Sequence, residues 1–299
     1  MNKPLHDFLI HLANERNYSP RTVESYRQDI EKFYRFLLKE DIKADDVDLM
    51  IIRNFLTEEL INGVSKRSCK RRICALKHYY SYLLKNKIID FNPFNYVVSP
   101  KVKTKYPTAL DDKQIQLLLS ENKKRTDEMM IRDQAIIEVL YYSGVRASEL
   151  VNIKMSDVNF RNRYIHILGK GNKERLVPFT TDCLDTLNKY IKELRPTLVA
   201  RNEQIPVHLF LNSRGEQLTT RGLEFILNSV EDKTGLNLGL HPHLLRHTFA
   251  THLLENGANL RVIQELLGHE SINATQVYTH VTEQNMRNEY LRSHPRAKK

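Results

Sequence analysis

The stretch Asn92-Pro-Phe-Asn-Tyr-Val-Val-Ser-Pro-Lys-Val-Lys-Thr-Lys-Tyr-Pro107 divides the chain. Its three prolines remove backbone donors and push the residues before them out of helical geometry, while Lys101, Lys103 and Lys105 favour solvent. Such a segment is poor helix, poor strand and good extended linker. A chain of 299 residues suits two domains, so the boundary is expected here: an N-terminal domain over 1–95, a linker at 96–107 and a second domain over 108–299.

On the N-terminal side the pattern is helical, with four helices and no convincing strand. Met1 to Arg16 reads as an amphipathic helix rather than a signal peptide. Ser19 fits an N-cap with Pro20 at the first helical position, and Val23, Tyr26, Ile30, Phe33 and Leu37 then recur as a core stripe. A later helix from about Ser65 to Lys85 places Ile73, Leu76, Tyr80 and Leu83 on one side and Lys66, Arg67, Lys70, Arg71 and Lys77 on another. A solvated helix face accounts for such a charge run; the near absence of acids within it favours a surface that faces phosphates.

The net charge of +10 and a pI near 9.4 point to a polyanionic partner, since Lys and Arg gain affinity by releasing counterions from phosphates. Up to Lys105 there are 20 basic and 13 acidic residues, against 26 and 23 beyond it, so the first third holds most of the excess. No apolar run approaches the roughly 20 residues a membrane span needs, and a cytoplasmic protein with no membrane insertion is expected. The three cysteines, Cys69, Cys74 and Cys183, cannot all pair and form no CxxC, which suggests neither a disulfide framework nor a zinc ribbon.

Beyond the linker, helices are expected at 111–119, 127–142, 181–195, 219–234, 243–256, 259–267, 271–279 and 282–292. One β-hairpin interrupts them. Its strands run from Tyr164 to Leu168 and from Arg175 to Val177, joined by a turn containing Gly169, Lys170 and Gly171.

Five fragments carry the chemistry: Arg146 in Ser143-Gly-Val-Arg-Ala-Ser-Glu-Leu150; Lys170 in Leu168-Gly-Lys-Gly-Asn-Lys-Glu-Arg175; His243 and Arg246 in His243-Leu-Leu-Arg-His-Thr-Phe-Ala-Thr-His252; His269 in Leu266-Leu-Gly-His-Glu; and Tyr278 in Thr275-Gln-Val-Tyr-Thr-His-Val281. In this order and at these separations they resemble the tyrosine recombinase (phage-integrase) family, and the whole chain resembles its compact Xer-type members. The resemblance implies a mainly α fold: an N-terminal four-helix, SAM-like DNA-clamping domain, then a mixed α+β catalytic domain with a small antiparallel sheet. It also implies a site-specific recombinase that cuts and rejoins double-stranded DNA through a 3′-phosphotyrosyl link and a four-way (Holliday) junction. No metal, ATP or other cofactor is expected. Four protomers would assemble on paired sites, as copies of this chain or together with a paralogous recombinase, and a regulatory protein partner would fit. Chromosome or plasmid dimer resolution is the expected role; a mobile-element integrase or an invertase is the alternative.

The residues support that chemistry by themselves. Attack on a phosphodiester gathers negative charge on the nonbridging oxygens, which Arg146 and Arg246 suit as planar, always-charged donors. Glu149 can pair with Arg146, or orient it or His243. His243 and Arg246 lie three apart on one predicted helix face, and an imidazole exchanges protons near neutrality. Tyr278 is an acidic enough hydroxyl for arginines and a histidine base to activate without metal. By resemblance Lys170 is the general acid for the leaving hydroxyl and His269 hydrogen-bonds a phosphate oxygen. The competing metal reading pairs His243 with His247 and brings in His241 and His252, but Leu244 stands where HExxH needs Glu and no carboxylate or cysteine completes a ligand set. A DNA-binding protein without catalysis and a metal-dependent nuclease are the rivals from other classes.

After Tyr278 only 21 residues remain. Met286, Tyr290 and Leu291 form a short apolar stripe with little of its own to bury against, and in the family this segment docks on a neighbouring protomer. That seat is the expectation; folding back on its own domain is the alternative.

Overall fold

The computed structural model describes residues 3–100, 108–169, 174–268 and 283–297. It divides into two compact units, Met1–Tyr106 and Pro107–Lys299. Both are mainly helical, and the small sheet belongs to the second. Among the described residues no helix is long and apolar enough to cross a membrane.

The first unit contains α1 (Lys3–Asn14), α2 (Pro20–Lys39), α3 (Leu49–Ile61) and α4 (Lys66–Lys85). Ser19 caps α2 by accepting the Thr22 N–H at 3.2 Å, and Pro20 occupies the first turn, where a missing N–H costs nothing. Ile30, Phe33 and Leu37 of α2 are buried against Leu76, Tyr80 and Leu83 of α4. The stretch expected to be extended from Asn92 onward is instead a 3₁₀ turn at Pro93–Tyr96. Asn92 closes it by accepting the Phe94 N–H at 3.0 Å. Phe94 is 1% exposed, its ring 4.7 Å from that of Tyr80. An aromatic with a core slot outweighs the extended preference of its neighbours.

A polar cluster crosses this core. Asp29 and Glu59 are buried. Asp29 pairs with Arg71 and accepts from Arg72 Nε at 3.2 Å, while Glu59 pairs with Arg72 and with Lys32 at 2.9 Å. Arg71 stays about half exposed while it makes this pair. Its guanidinium serves an acid supplied by another helix, which no reading of α4 alone reveals. Lys66, Arg67, Lys70 and Lys77 are exposed.

The second unit is built around α6 (Met130–Ser143), whose residues from Arg132 to Ser143 are all buried. Around it stand α5 (Asp112–Lys123), the short α7 (Ala147–Leu150), α8 (Thr181–Lys189), α9 (Arg195–Val199), α10 (Thr220–Thr234), α11 (Pro242–Glu255), α12 (Leu260–Leu267) and α13 (Glu283–Ser293). The helix expected at 181–195 runs on to Val199 through a π turn at Tyr190–Leu194. Strands β1 (Val158–Asn159), β2 (Tyr164–Leu168) and β3 (Glu174–Pro178) form an antiparallel sheet in the order β1-β2-β3. The register sets Ile165 opposite Val177 and Ile167 opposite Arg175. Ile165, Ile167 and Val177 are buried, so Arg175 lies on the inward face.

In the single chain α13 packs on its own unit, which is the alternative weighed for the C-terminal segment. Tyr290 is fully buried beside Phe249, Leu253, Val262 and Leu266, and His294 is 0% exposed, its ring against those of Tyr141, Tyr142 and Phe249. The apolar stripe had too few partners in its own helix, but α11 and α12 supply them.

Candidate active site

Four side chains and two helix ends make the site. Helix α6 stops at Gly144, whose φ of 60° is left-handed and where a Cβ would collide with the Phe249 ring. This sharp stop leads to Arg146, the residue before α7. Glu149 then reaches back: its Oε2 accepts the Arg146 N–H at 2.7 Å and its Oε1 accepts from Arg146 Nη1 at 2.8 Å. Arg175 approaches Glu149 from β3 and donates through both terminal nitrogens, at 2.9 and 2.8 Å. Arg246 comes from α11 and is 8% exposed.

The three arginines converge on the end of α12, where the last carbonyls of a helix have no partners within it. Arg175 Nε donates to Leu266 O at 2.8 Å, Arg246 Nη2 to Leu267 O at 2.6 Å, and Arg146 Nη2 to Gly268 O at 2.8 Å. Arg246 Nη1 also donates to Gly144 O at 2.6 Å, at the end of α6. The negative ends of two helix dipoles thus help to hold a buried cation. The residue after Gly268 is His269, so this clasp fixes the point from which the chain departs toward Tyr278.

Two guanidiniums grip one carboxylate, and a third, that of Arg246, lies close by on backbone carbonyls alone. Burial alone would raise the pKa of Glu149, but the paired bonds from Arg175 and the two from Arg146 more than offset it, and the carboxyl is held at about 2. Burial lowers the Arg246 pKa to about 10, helped by the positive charge of Arg146 and Arg175. Arg246 remains charged at neutral pH. The cluster therefore carries a surplus of two positive charges, and Arg146, about one-third exposed, is its most accessible member.

Of the residues selected from sequence, Arg146, Glu149 and Arg246 stand together. His243 is exposed in the first turn of α11, three residues before Arg246. Lys170, His269 and Tyr278 lie outside the described residues, as does the helix expected at 271–279.

The remaining histidines have other work. His241 caps α11 by accepting the Leu244 N–H at Nδ1, at 2.8 Å. His252 is buried; its Nε2 donates to Leu110 O at 2.8 Å and its Nδ1 accepts from the Tyr141 hydroxyl at 2.9 Å. His252 therefore has no lone pair left for a metal. His247 is exposed.

Sequence reasoning missed two residues. Arg175 was signalled by alternation, since a charge opposite Ile167 on an inward face requires an acid partner. Glu231 of α10 carried no local signal. Its carboxylate accepts the N–H groups of Leu238, Gly239 and Leu240 at 2.6, 2.7 and 2.9 Å, and so holds the loop that enters α11 just before His243.

Comparison with known proteins matches residues 108–285 to the Phage integrase family and residues 5–87 to the Phage integrase, N-terminal SAM-like domain. The tyrosine recombinase XerC of Anoxybacillus flavithermus is 43% identical over 298 residues, covering 99% of each chain. Among solved structures, the XerH site-specific recombinase bound to its difH substrate in a pre-cleavage complex is similar with a TM-score of 0.67 and 23% identity, over 97% of this chain and 81% of that one. A lambda integrase tetramer bound to a Holliday junction is similar with a TM-score of 0.67 and 18% identity, over 93% and 80%. At these identities the two structures speak for the fold.

Proposed function

Because the chain belongs to the phage integrase family, we propose that it is an Xer-type tyrosine recombinase, which cuts and rejoins DNA at specific sites. The observation that carries this reading is the cluster of Arg146, Arg246 and Arg175 around the single acid Glu149, an excess of fixed positive charge suited to a phosphodiester in its charged transition state. The full-length likeness to XerC supports it.

The hydroxyl oxygen of Tyr278 attacks the scissile phosphorus, and its proton passes to His243. The bond from phosphorus to the 5′ oxygen breaks, Lys170 protonates that oxygen, and a 3′-phosphotyrosine and a free 5′-hydroxyl result. Arg146 and Arg246 neutralise the nonbridging oxygens, and His269 donates to one of them. Attack by a 5′-hydroxyl from another strand reverses these steps and releases Tyr278, so rejoining consumes no nucleotide and no cofactor. Glu149 holds Arg146 in place.

The DNA is double-stranded, and the exposed Lys66, Arg67, Lys70 and Lys77 of α4 meet its phosphates, with Arg71 dividing its charge between them and Asp29. Two rounds of exchange pass through a Holliday junction held by four protomers, of this chain alone or with a paralogous recombinase, and the biological role is chromosome or plasmid dimer resolution in the cytoplasm. In that assembly α13 would pass from its own unit to a neighbour.

A suicide duplex nicked beside the scissile phosphate tests the chemistry. Wild-type protein accumulates a covalent adduct resistant to denaturation, whereas Tyr278→Phe binds the same DNA and forms none. An adduct with the variant would place the nucleophile elsewhere.

A further inference from the structure

We propose that Arg175 is a positioning residue of the cleavage site, which holds Glu149 and the end of α12 in the one arrangement that presents Arg146 to the scissile phosphate. This rests on the recombinase reading above. Arg175 does not itself reach the DNA: its side chain is 11% exposed, and its three kinds of donor are all engaged within the protein. Its guanidinium also lies flat against Gly268, where an added Cβ would come within 3.1 Å of Nη1, so the close approach depends on glycine at that position.

The argument for positioning is one of connectivity. Arg175 starts in β3, five residues after Lys170 in the sequence. It occupies both oxygens of Glu149, and Glu149 in turn accepts the backbone and side-chain donors of Arg146. Through Leu266 O it grips the turn that leads to His269 and on to Tyr278. The hairpin, the first arginine and the root of the nucleophile's segment meet at a single guanidinium. Only a planar fork satisfies the two carboxylate oxygens and the carbonyl together; an ammonium supplies the charge without the geometry. Removing it leaves Glu149 buried with one cation fewer, and its carboxyl shifts upward toward protonation. Still ionised near neutrality but no longer clamped from β3, Glu149 can swing with Arg146 instead of fixing it.

The test compares wild type, Arg175→Gln, Arg175→Lys, Glu149→Gln and the double variant Arg175→Gln with Glu149→Gln. The Glu149 side-chain carboxyl, followed by carbon NMR in the full chain without DNA, titrates far below the ordinary range in wild type and moves up by at least one pH unit in Arg175→Gln or, should that variant not fold, in Arg175→Lys. An ordinary value in wild type, or no movement in the variants, overturns the proposal. Adduct formation on the suicide duplex at saturating protein falls on the order of 10²-fold in Arg175→Gln, while affinity for a single site changes less than about twofold. Arg175→Lys recovers only part of the rate, and the double variant is no slower than Glu149→Gln alone. Full rate in Arg175→Lys, or rate reductions that multiply in the double variant, count against a role exerted through Glu149. If wild type itself forms no adduct, the recombinase reading fails, and the carboxyl titration still decides whether Arg175 governs Glu149.

Discussion

Each unit buries arginine against carboxylate, and the cluster at Asp29 and Glu59 differs from the one at Glu149 in what is left over. In the first unit, Asp29 and Glu59 meet Arg71, Arg72 and Lys32, and the contacts are almost entirely side chain to side chain across α2, α3 and α4. In the second, Arg146 and Arg175 share Glu149, Arg246 has no acid of its own, and the remaining donors turn to the backbone carbonyls that close α6 and α12. Carbonyl partners are neutral, so they satisfy hydrogen bonds without cancelling charge. The first cluster is close to self-neutralised and ties helices together. The second keeps a positive surplus, which in the proposed function serves a phosphodiester.

The largest test of that contrast is Arg246→Gln. Removing a buried donor of transition-state charge should slow adduct formation by roughly 10² to 10³-fold, measured in single turnover with protein saturating. It also leaves Gly144 O and Leu267 O with weaker partners, at about 1–3 kcal/mol of stability. Next comes Asp29→Asn, which leaves Arg72 with Glu59 as its one acid and should cost about 3 kcal/mol in urea denaturation with the rate of adduct formation per folded molecule unchanged. If Asp29→Asn slowed cleavage as Arg246→Gln does, the division into a structural cluster and a reactive one would break.

A third test concerns the C-terminal segment, which is anchored by neither cluster. Burial pushes His294 down to about 3, with the positive charge of Arg296 adding to it, so its neutral form is the one that docks. A depressed histidine stabilises above its unfolded value of 6.5 and loses that contribution as the pH falls toward 3. Between pH 7 and pH 5 the docked segment should lose about 2 kcal/mol, read as faster amide exchange in α13 at pH 5, with exchange normalised for its intrinsic pH dependence. His294→Phe should remove the pH response, and an unchanged response would assign it to another group.

The smallest effect is expected on the exposed face of α4. Neutralising Lys66 and Lys70 together should weaken cognate and random DNA equally, and the slope of log affinity against log salt should shrink by about 1 for each phosphate that is no longer neutralised. Arg71→Gln should differ in kind, lowering stability through Asp29 as well as affinity. Weakening confined to one cognate sequence would instead mean that α4 reads bases.

Much of this protein was legible from local pattern. The helix starts at Ser19 and Asp111, the α2 and α4 stripes and the β-hairpin follow from capping chemistry and periodicity, which act over a few residues. The selection of Arg146, Glu149 and Arg246 likewise followed from residue chemistry within short motifs and from their order along the chain. Tertiary structure decided what depends on partners remote in sequence. Phe94 folded what read as linker because Phe33 and Tyr80 left it a slot, and the exposed Arg71 gained a buried partner in Asp29, 42 residues away on α2. Glu231 reached His243 only through the loop at 238–240, and α13 found on α11 and α12 the apolar surface that its own stripe lacked. Above all, Arg146, Arg175 and Arg246 became one site because the unpaired carbonyls of α12 drew all three to the same helix end, and unsatisfied backbone groups exist only once the helices have been placed.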